Sequence, residues 1–368
     1  MYSDSDTRFM QRALDLGARA LEATPNPRVG CVIVRDERVL GEGFTQRAGS
    51  HHAEIEALQD ARRRGNDPRG ATVYVTLEPC SHFGRTPPCA RALIEAGVQR
   101  VVAAVEDPNP QVGGRGLEML RAAGVDARCG LLRHEAAEAN AGFFSRMTRG
   151  RPWVRVKLAG SLDGRSALPN GVSQWITSEA ARTDAHAWRA RACAILTGIG
   201  TVLADDPLLT VRRIAAPRQP LRIVVDSRMR ISEAARLLDG SPVLLAVARP
   251  DEDKAHRLQA RAAQVLACPG PDERVDLGAL LGELGRREIN ELQVEAGPTL
   301  SGAFVRAGLA DEILLYQAPL FLGAGRGLLD LPELETLDAA RRWQVREWRQ
   351  VGGDLRVLLR PDNAAQHS

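Results

Sequence analysis

The chain has 368 residues, of which 44% are hydrophobic and 26% charged, with a formal net charge of +3. At roughly 100 to 200 residues per domain this length predicts two domains. The small net charge gives no indication of a nucleic-acid partner, and no run of about 18 apolar residues is present to span a membrane. Because the N-terminus is polar and lacks a signal-peptide core, we expect a cytoplasmic protein.

Strands and helices are predicted to alternate along the first half of the chain. The predicted elements are a helix over 7–23, a hairpin of strands 29–34 and 39–42, a helix that begins at 52 with Gly65 as its C-cap, a strand over 72–77, a helix over 89–96 and a strand over 100–105. This alternation predicts a three-layer α/β sandwich.

A set of metal-binding residue types lies at the boundaries of these elements. His52 is followed two residues later by Glu54, and Cys80 and Cys89 flank the loop before the next helix. A histidine, an offset glutamate, a Pro-Cys pair and a second cysteine form the signature of zinc-dependent base deaminases. Three protein ligands, His52, Cys80 and Cys89, leave a fourth position of Zn²⁺ for water. Glu54 then has the role of the proton carrier.

Other interpretations of these residues stay open at this point. Eight residues separate Cys80 from Cys89, where the generic signature has two. His82, inside that interval, would be the fourth ligand of a closed structural zinc site, or the two cysteines are unrelated core residues. Cys31, Cys129, Cys193 and Cys268 have no metal context, and we expect them to be free thiols.

A basic stretch with Gly and Pro over 146–152 predicts a domain boundary near residue 150. Beyond it the pattern is again α/β. Strands are predicted at 153–159, 193–198, 221–226, 242–247, 291–295 and 312–316, helices at 178–191 and 299–308, and a terminal antiparallel pair at 343–351 and 354–360. Gly198 and Gly200 supply only two of the three glycines of a dinucleotide fingerprint. A better phosphate-binding candidate is the strand–turn–helix over 294–302, although an ordinary turn fits that pattern equally well.

Several longer motifs carry a family resemblance. They are Pro25–Cys31 (PNPRVGC), Glu78–Cys89 (EPCSHFGRTPPC), Asp107–Gly116 (DPNPQVGGRG), Ser161–Arg165 (SLDGR), Ser173–Thr177 (SQWIT) and Val294–Leu300 (VEAGPTL). Together they resemble the bifunctional riboflavin-biosynthesis pyrimidine deaminase/reductase family over nearly the whole chain. The resemblance implies two three-layer α/β/α domains: a cytidine-deaminase-like zinc domain over 1–150 and a dihydrofolate-reductase-like NADPH domain over 151–368.

The same resemblance implies a pair of reactions on a small molecule. The first domain would hydrolyse an amine from 2,5-diamino-6-(5-phosphoribosylamino)pyrimidin-4(3H)-one with Zn²⁺ as cofactor, and the second would reduce the ribosyl group to ribityl with NADPH. We also expect a homo-oligomer, with a dimer favoured.

The resemblance further implies site residues in the second half. Contacts with NADPH are expected from Ala159, Trp175, Thr201, Asp205, Ser227, Gly297, Pro298, Thr299, Leu300, Ser301, Gly302 and Ala303. Contacts with the ribosyl phosphate substrate are expected from Ser173, Arg189, Leu209, Arg212 and Glu295, the arginines pairing the phosphate bidentately. From charge alone, Arg228 or Arg230 beside Ser227 is a hypothetical partner of the cofactor's 2′-phosphate.

In the first half, the family places substrate contacts at positions such as Asn26, His82 and Arg85; for Asn26, turn formation is an equally good explanation. The sequence departs from the family pattern at two positions. Thr45 stands where a histidine is usual, which puts one substrate contact in doubt. His51 stands where a proline is usual, which raises His51 as a competing metal ligand.

Only two of the 49 basic residues are lysines, Lys157 and Lys254. Lys157 lies in a predicted strand just before the Ser161–Arg165 motif. A role for its compact ammonium group near the sugar, and chance survival of a lysine, are both open.

Two other function classes remain. One is a single-activity nucleobase or nucleic-acid-editing deaminase with a non-catalytic C-terminal domain, which should have a basic surface and aromatic residues for a flipped base. The other is a zinc-stabilised binding protein without catalysis.

Overall fold

The structure is a computed structural model that describes residues 2–81, 88–110 and 112–362. By its internal contacts the chain divides into two compact units, Met1–Gly150 and Arg151–Ser368. Within the described ranges, every helix is too short or too polar to cross a bilayer.

The first unit is built from alternating helices and short strands. Its strands are β1 (Gly30–Arg35), β2 (Arg38–Phe44), β3 (Thr72–Val75), β4 (Arg100–Ala103) and β5 (Asp126–Cys129). Its helices are α1 (Asp4–Gly17), α2 (Ala53–Arg63), α3 (Cys89–Glu95), α4 (Arg115–Ala122), α5 (Arg133–Ala139) and α6 (Ala141–Arg149).

These strands form one sheet in the order β2-β1-β3-β4-β5. The predicted β1–β2 hairpin is present, β1 also pairs antiparallel with β3, and β3, β4 and β5 are parallel. Helix α2 packs on β1 and β2 and contacts α3, which in turn contacts α4; α1 packs on β1 and β3 and contacts α5. The sheet therefore lies between two helix layers, as the sequence predicts.

The opening helix differs from its predicted bounds of 7–23. It begins earlier because Ser3 caps it: the Ser3 hydroxyl accepts the Asp6 N–H (3.1 Å) and the Asp6 carboxylate accepts the Ser3 N–H (2.9 Å). It ends at Gly17, because the chain there turns back to start β1. Ala20 and Ala23 are buried in the turns that follow, so apolar spacing continues beyond the helix and resembles a longer one.

The second unit contains a larger sheet. Its strands are β6 (Trp153–Ser161), β7 (Arg165–Ala167), β8 (Ala194–Gly198), β9 (Leu221–Val225), β10 (Val243–Val247), β11 (Ala263–Ala267), β12 (Glu291–Val294), β13 (Glu312–Ala318), β14 (Arg326–Gly327), β15 (Trp343–Val351) and β16 (Asp354–Pro361). Its helices are α7 (Glu179–Arg191), α8 (Ile199–Asp205), α9 (Glu252–Gln259), α10 (Leu277–Arg286) and α11 (Pro298–Arg306).

The strand order of this sheet is β11-β10-β9-β8-β12-β6-β13-β16-β15, and β7 pairs with β14 separately. The strands from β11 to β13 are parallel, and the predicted terminal hairpin β15–β16 adds antiparallel to β13. Leucines of α10 and Phe304 of α11 pack on one face, whereas α7, α8 and α9 contribute to the apolar clusters of the other. Parallel strands end at the same edge of a sheet, so the segments that follow β6, β8, β9 and β12 are neighbours.

Candidate functional site

The first candidate site is assembled where α2 and α3 begin. His52 is the N-cap residue of α2, and Glu54 lies in the first turn of that helix. Cys89 is the first residue of α3, and Cys80 lies in the loop that follows β3. The Cys89 N–H donates to Cys80 Sγ (3.3 Å), and the Ala90 N–H donates to the Cys80 carbonyl (3.2 Å). The start of α3 therefore fixes the position of Cys80.

The distances among these side chains suit zinc. His52 Nδ1 lies 3.6 Å from Cys80 Sγ and 3.4 Å from Cys89 Sγ, and the three ligand atoms lie within 4.8 Å of one another. In a tetrahedral site with Zn–S of about 2.3 Å and Zn–N of about 2.0 Å, ligand atoms are separated by about 3.5 Å. One imidazole and two sulfurs in this arrangement fit a zinc ion without rearrangement.

The electrostatics of the site favour proton exchange at Glu54. Burial raises the pKa of Glu54 to about 7, and the negative charge of Cys80 adds to the effect. A hydrogen bond with Cys89 lowers the pKa of Cys80 to about 4, and the same bond together with burial raises the pKa of Cys89. A carboxyl group whose pKa lies near neutrality can both accept and release a proton at physiological pH.

Glu78, two residues before Cys80, fastens the metal loop to a second loop. Its buried carboxylate accepts four backbone N–H groups, at Oε2 from Asp107 (3.2 Å) and Gly114 (2.8 Å) and at Oε1 from Gly116 (2.8 Å) and Leu117 (3.2 Å). Gly116 is required here, because a Cβ at this position would lie 1.9 Å from the Pro79 carbonyl oxygen. The segment over 107–117 thus holds Pro79 and Cys80 in place.

The adjacent residues His51 and His52 have different side-chain neighbours. His51 Nδ1 lies 3.0 Å from Glu56 Oε1 and 3.4 Å from Gln59 Nε2, whereas His52 faces the two sulfurs. The departure at His51 therefore introduces a side chain that pairs with its own helix. His52 remains our predicted ligand.

The other departure, Thr45, is buried and engaged with the backbone. Its hydroxyl accepts the Val29 N–H (3.3 Å) and donates to the Val29 carbonyl (3.4 Å), which ties the end of β2 to the start of β1. Asn26 lies in the turn before β1, where its N–H donates to the Ala23 carbonyl (2.9 Å); its substrate contact stays a prediction. His82 and Arg85 lie outside the described residues.

In the second unit, the predicted cofactor residues follow several parallel strands. Ala159 lies near the end of β6, Thr201 and Asp205 in α8, Ser227 directly after β9, and Gly297–Ala303 at the beginning of α11. A Cβ at Gly198 would lie 3.1 Å from Leu300 Cδ2, so the turns that start α8 and α11 are adjacent. Helix starts expose unpaired N–H groups, which suit the phosphates of a dinucleotide.

Ser173 and Trp175 lie on the loop before α7. The Trp175 side chain is exposed, and the Arg182 guanidinium lies 4.5 Å from its ring centre. Their contact with cofactor and substrate stays a prediction.

The predicted substrate residues Arg189, Arg212 and Glu295 meet beside α7. Arg189 donates to both oxygens of Glu295, from Nε (2.7 Å) and Nη2 (2.8 Å). Although burial raises the pKa of Glu295, the charge and hydrogen bonds of Arg189 and the charge of Lys157 lower it to about 2. Since Glu295 occupies the fork of Arg189, the predicted bidentate phosphate contact fits Arg212 better. Arg212 is exposed overall, but partial desolvation of its guanidinium and the positive charges of Arg189 and Arg213 lower its pKa. Leu209, buried with a left-handed backbone (φ 54°), belongs to the same loop as Arg212.

His186 joins these groups, although the sequence analysis does not single it out. The buried imidazole accepts the Arg212 N–H at Nδ1 (3.1 Å), and its Nε2 lies 3.5 Å from Arg189 Nη1. Burial and the charges of Arg189 and Arg212 lower the pKa of His186 to about 4. Its position three residues before Arg189 on one helix face is the only local signal that could have indicated it.

Two family models match the chain. The "cytidine and deoxycytidylate deaminase zinc-binding region" matches residues 3–105, and the "RibD C-terminal domain" matches residues 152–357. The first match contains His52, Glu54, Cys80 and Cys89; the second contains the Arg189–Glu295 pair.

Curated relatives are similar over nearly their whole length. The riboflavin biosynthesis protein RibD of Escherichia coli is 49% identical, with 96% of this chain and 99% of that protein covered. The protein of the same name from Mycobacterium tuberculosis is 44% identical, with 91% of each covered.

Solved structures agree with this. RibD of Acinetobacter baumannii superposes with a TM-score of 0.88 at 40% identity, covering 98% of this chain and 99% of that one. A diaminohydroxyphosphoribosylaminopyrimidine deaminase/5-amino-6-(5-phosphoribosylamino)uracil reductase from Thermotoga maritima gives 0.87 at 32% identity, covering 97% and 99%.

The Glu78 contacts predict a role in metal retention. In Glu78→Gln an NH₂ group replaces one carboxylate oxygen and cannot accept hydrogen bonds from the backbone N–H groups that it faces. The backbone at Asp107 and 114–117 should then be held less firmly, and Cys80 should lose its fixed position. Because loss of a group that orients ligands typically costs 10–100-fold, we expect zinc to bind at least about tenfold more weakly, as measured by competition with a chromophoric chelator. Glu95→Gln, at an exposed ion pair with Arg91, is the control. Unchanged zinc affinity in the Glu78 variant would contradict this role.

The low pKa of His186 predicts a pH-dependent stability. Between the His186 pKa of about 4 in the folded chain and 6.5 in the unfolded chain, only the unfolded chain binds the extra proton. The stability that neutral His186 contributes is therefore lost as pH falls through this window. At pH about 4.5 the free energy of unfolding should be lower than at neutral pH by about 2 kcal/mol on account of His186. His186→Asn keeps an acceptor for Arg212 without titrating, and its unfolding free energy should depend less on pH. Tryptophan emission can follow the denaturation, because all five tryptophans lie in 151–368; equal pH slopes would refute the assignment.

Proposed function

Because the chain belongs to the RibD family of riboflavin-biosynthesis proteins and carries both its deaminase and its reductase domain, we propose that Met1–Gly150 catalyses the deamination and Arg151–Ser368 the reduction. The proposed substrate of the first reaction is 2,5-diamino-6-(5-phosphoribosylamino)pyrimidin-4(3H)-one. The observation that carries this proposal is the convergence of His52, Cys80 and Cys89 beside the buried Glu54.

In the first unit His52, Cys80 and Cys89 would hold the zinc ion, which would supply an activated water. Glu54 accepts a proton from that water and donates it to the ring nitrogen next to the carbon under attack. A second transfer through the same carboxyl group protonates the departing amine, so that ammonia leaves and a carbonyl remains. Glu54 is buried in the first turn of α2, two residues from the ligand His52, which supports both transfers.

In the second unit we propose NADPH as the cofactor, bound along the ends of β6, β8, β9 and β12. When bound, it would supply a hydride for C1′ of the ribose in the ring-opened imine or aldehyde form of the sugar. The α11 turn, Gly297–Ala303, offers backbone N–H groups to the cofactor phosphates. Thr201 and Asp205 in α8, the helix that follows β8, and Ser227 after β9 are the other proposed cofactor contacts.

Arg212 and the Arg189–Glu295 pair are proposed to bind the substrate's phosphoribosyl group. The guanidinium of Arg212 is exposed and lies among positive charges, which suits a phosphate. Glu295, fixed by Arg189 and by Gln293 Nε2 (2.7 Å), presents an oriented carboxylate to sugar hydroxyls. Lys157 is half-buried near Glu295, and desolvation lowers the pKa of its ammonium group, which makes it a candidate proton donor at the opening sugar.

The alternatives from the sequence are not favoured. A match of residues 152–357 to the RibD C-terminal domain is not expected for a single-activity or nucleic-acid-editing deaminase. A zinc-stabilised binding protein gives no role to the buried carboxyl group of Glu54 beside the metal ligands.

Glu54→Gln tests the proposed roles. The variant should retain zinc, because the ligands are unchanged, but deamination should fall by about 10²–10⁴-fold, the usual contribution of a proton-transfer group. Purified protein would receive the diaminopyrimidinone phosphate with and without NADPH, while ammonia release and NADPH absorbance are followed together.

Glu95→Gln, with its exposed carboxylate on α3, serves as the control and should release ammonia like the wild type. NADPH oxidation with the already deaminated intermediate should be normal in both variants. Ammonia release at the wild-type rate from Glu54→Gln would refute the assigned role of Glu54.

We also propose that the chain forms a homodimer in the cytoplasm. The edge strand β15 exposes Val345 and Trp348, and the loop after β13 exposes Phe321. Apolar side chains of this size on an unpaired sheet edge suit association with a second copy. Sedimentation equilibrium measures the assembly, and a monomer at micromolar concentration would be evidence against it.

A further inference from the structure

We propose that Arg228 and Arg249 together bind the 2′-phosphate of NADPH, and that Glu273 competes with this phosphate for the two guanidinium groups. The inference rests on the proposed NADPH-dependent reduction. It names the residues that select the phosphorylated dinucleotide, one of which, Arg249, the sequence pattern does not indicate.

The positions of the two arginines follow from the pairing of β9 and β10. These strands are parallel, with Val225 opposite Ala246, so they end at the same sheet edge. Arg228 comes after β9 and Arg249 after β10. The Ala248 N–H donates to the Ser227 carbonyl (3.1 Å), which fastens the two turns to each other. Both side chains are therefore presented next to Ser227.

Glu273 lies between the two guanidinium groups. Its Oε1 is 3.1 Å from Arg249 Nη2, and its Oε2 is 3.8 Å from Arg228 Nη2. The turn that carries it is attached to the same place, because the Val275 N–H donates to Ser227 Oγ (3.2 Å). One carboxylate thus bridges two cations whose side chains are 74% and 78% exposed.

This arrangement has the charge and geometry of an anion site. Arginine forks bind phosphate oxygens bidentately, and a phosphate dianion neutralises two guanidinium groups better than one carboxylate does. In parallel α/β sheets an acidic residue near a strand end accepts the ribose hydroxyl of NAD, whereas arginine accommodates the 2′-phosphate of NADP. The sequence analysis names Arg228 or Arg230 for this role; because Glu273 pairs with Arg228 and with Arg249, we choose Arg249 as the partner of Arg228.

The proposal predicts effects of opposite sign. Arg228→Ala and Arg249→Ala should each weaken NADPH binding about tenfold, the value of one charge-assisted hydrogen bond. NADH, which lacks the 2′-phosphate, should bind each variant within about twofold of wild type. Glu273→Gln removes the competing charge and should strengthen NADPH binding about threefold without affecting NADH.

Isothermal titration of the full-length protein with NADPH and with NADH, in the absence of substrate, measures these affinities independently of turnover. Arg257→Ala is the matched control, because Arg257 is likewise exposed and paired with a glutamate, Glu233. Circular dichroism checks the fold of each variant.

The outcomes distinguish a failure of the proposed 2′-phosphate site from a failure of the cofactor assignment. Selective loss of NADPH affinity in the arginine variants, with a gain in Glu273→Gln, supports the site. Equal losses for both dinucleotides, or unchanged NADPH affinity, overturn it while the reductase assignment stands. If the wild-type protein binds neither dinucleotide, the cofactor assignment and this inference both fail.

Discussion

Both candidate sites depend on a buried carboxylate that is satisfied by donors from distant parts of the chain. Glu78 receives four backbone N–H groups from the 107–117 segment, and Glu295 receives the Arg189 fork and the Gln293 amide. A buried charge without such partners would be strongly destabilising. The partners therefore cannot move independently, and each carboxylate makes its site rigid.

The two sites also share a location in their sheets. In each unit the functional groups follow the ends of strands and precede or begin helices, where backbone N–H groups are unpaired and the helix dipole favours negative charge. In the first unit the sulfurs of Cys80 and Cys89 lie at these positions. The predicted phosphate contacts lie there in the second. Different chemistries thus use the same property of an α/β fold.

Much of this arrangement is readable from residue types and spacing. The signature at His52, Cys80 and Cys89 predicts three groups that the fold does bring together. Strands β8–β10, which are aliphatic runs, and the β15–β16 hairpin lie close to their predicted bounds. The confirmed family and fold class follow from the longer motifs.

What the sequence analysis misses comes from contacts between distant residues. Glu78 has no local signature, since its four donors lie about 30 to 40 positions away. The occupied fork of Arg189 depends on Glu295, 106 positions along the chain. The predicted first helix, 7–23, extends beyond the end of α1 because the buried Ala20 and Ala23 in the following turns continue the apolar spacing of a helix.

The near absence of lysine has a practical consequence for covalent labelling. Both lysines of the chain are half-buried: Lys157 lies on β6 near Glu295, and Lys254 lies on α9 with its Nζ donating to the Met229 carbonyl (2.5 Å). Acylating dyes and amine cross-linkers thus have only two lysine side chains to modify, and both belong to the second unit. A lysine-linked fluorophore would therefore report on that unit.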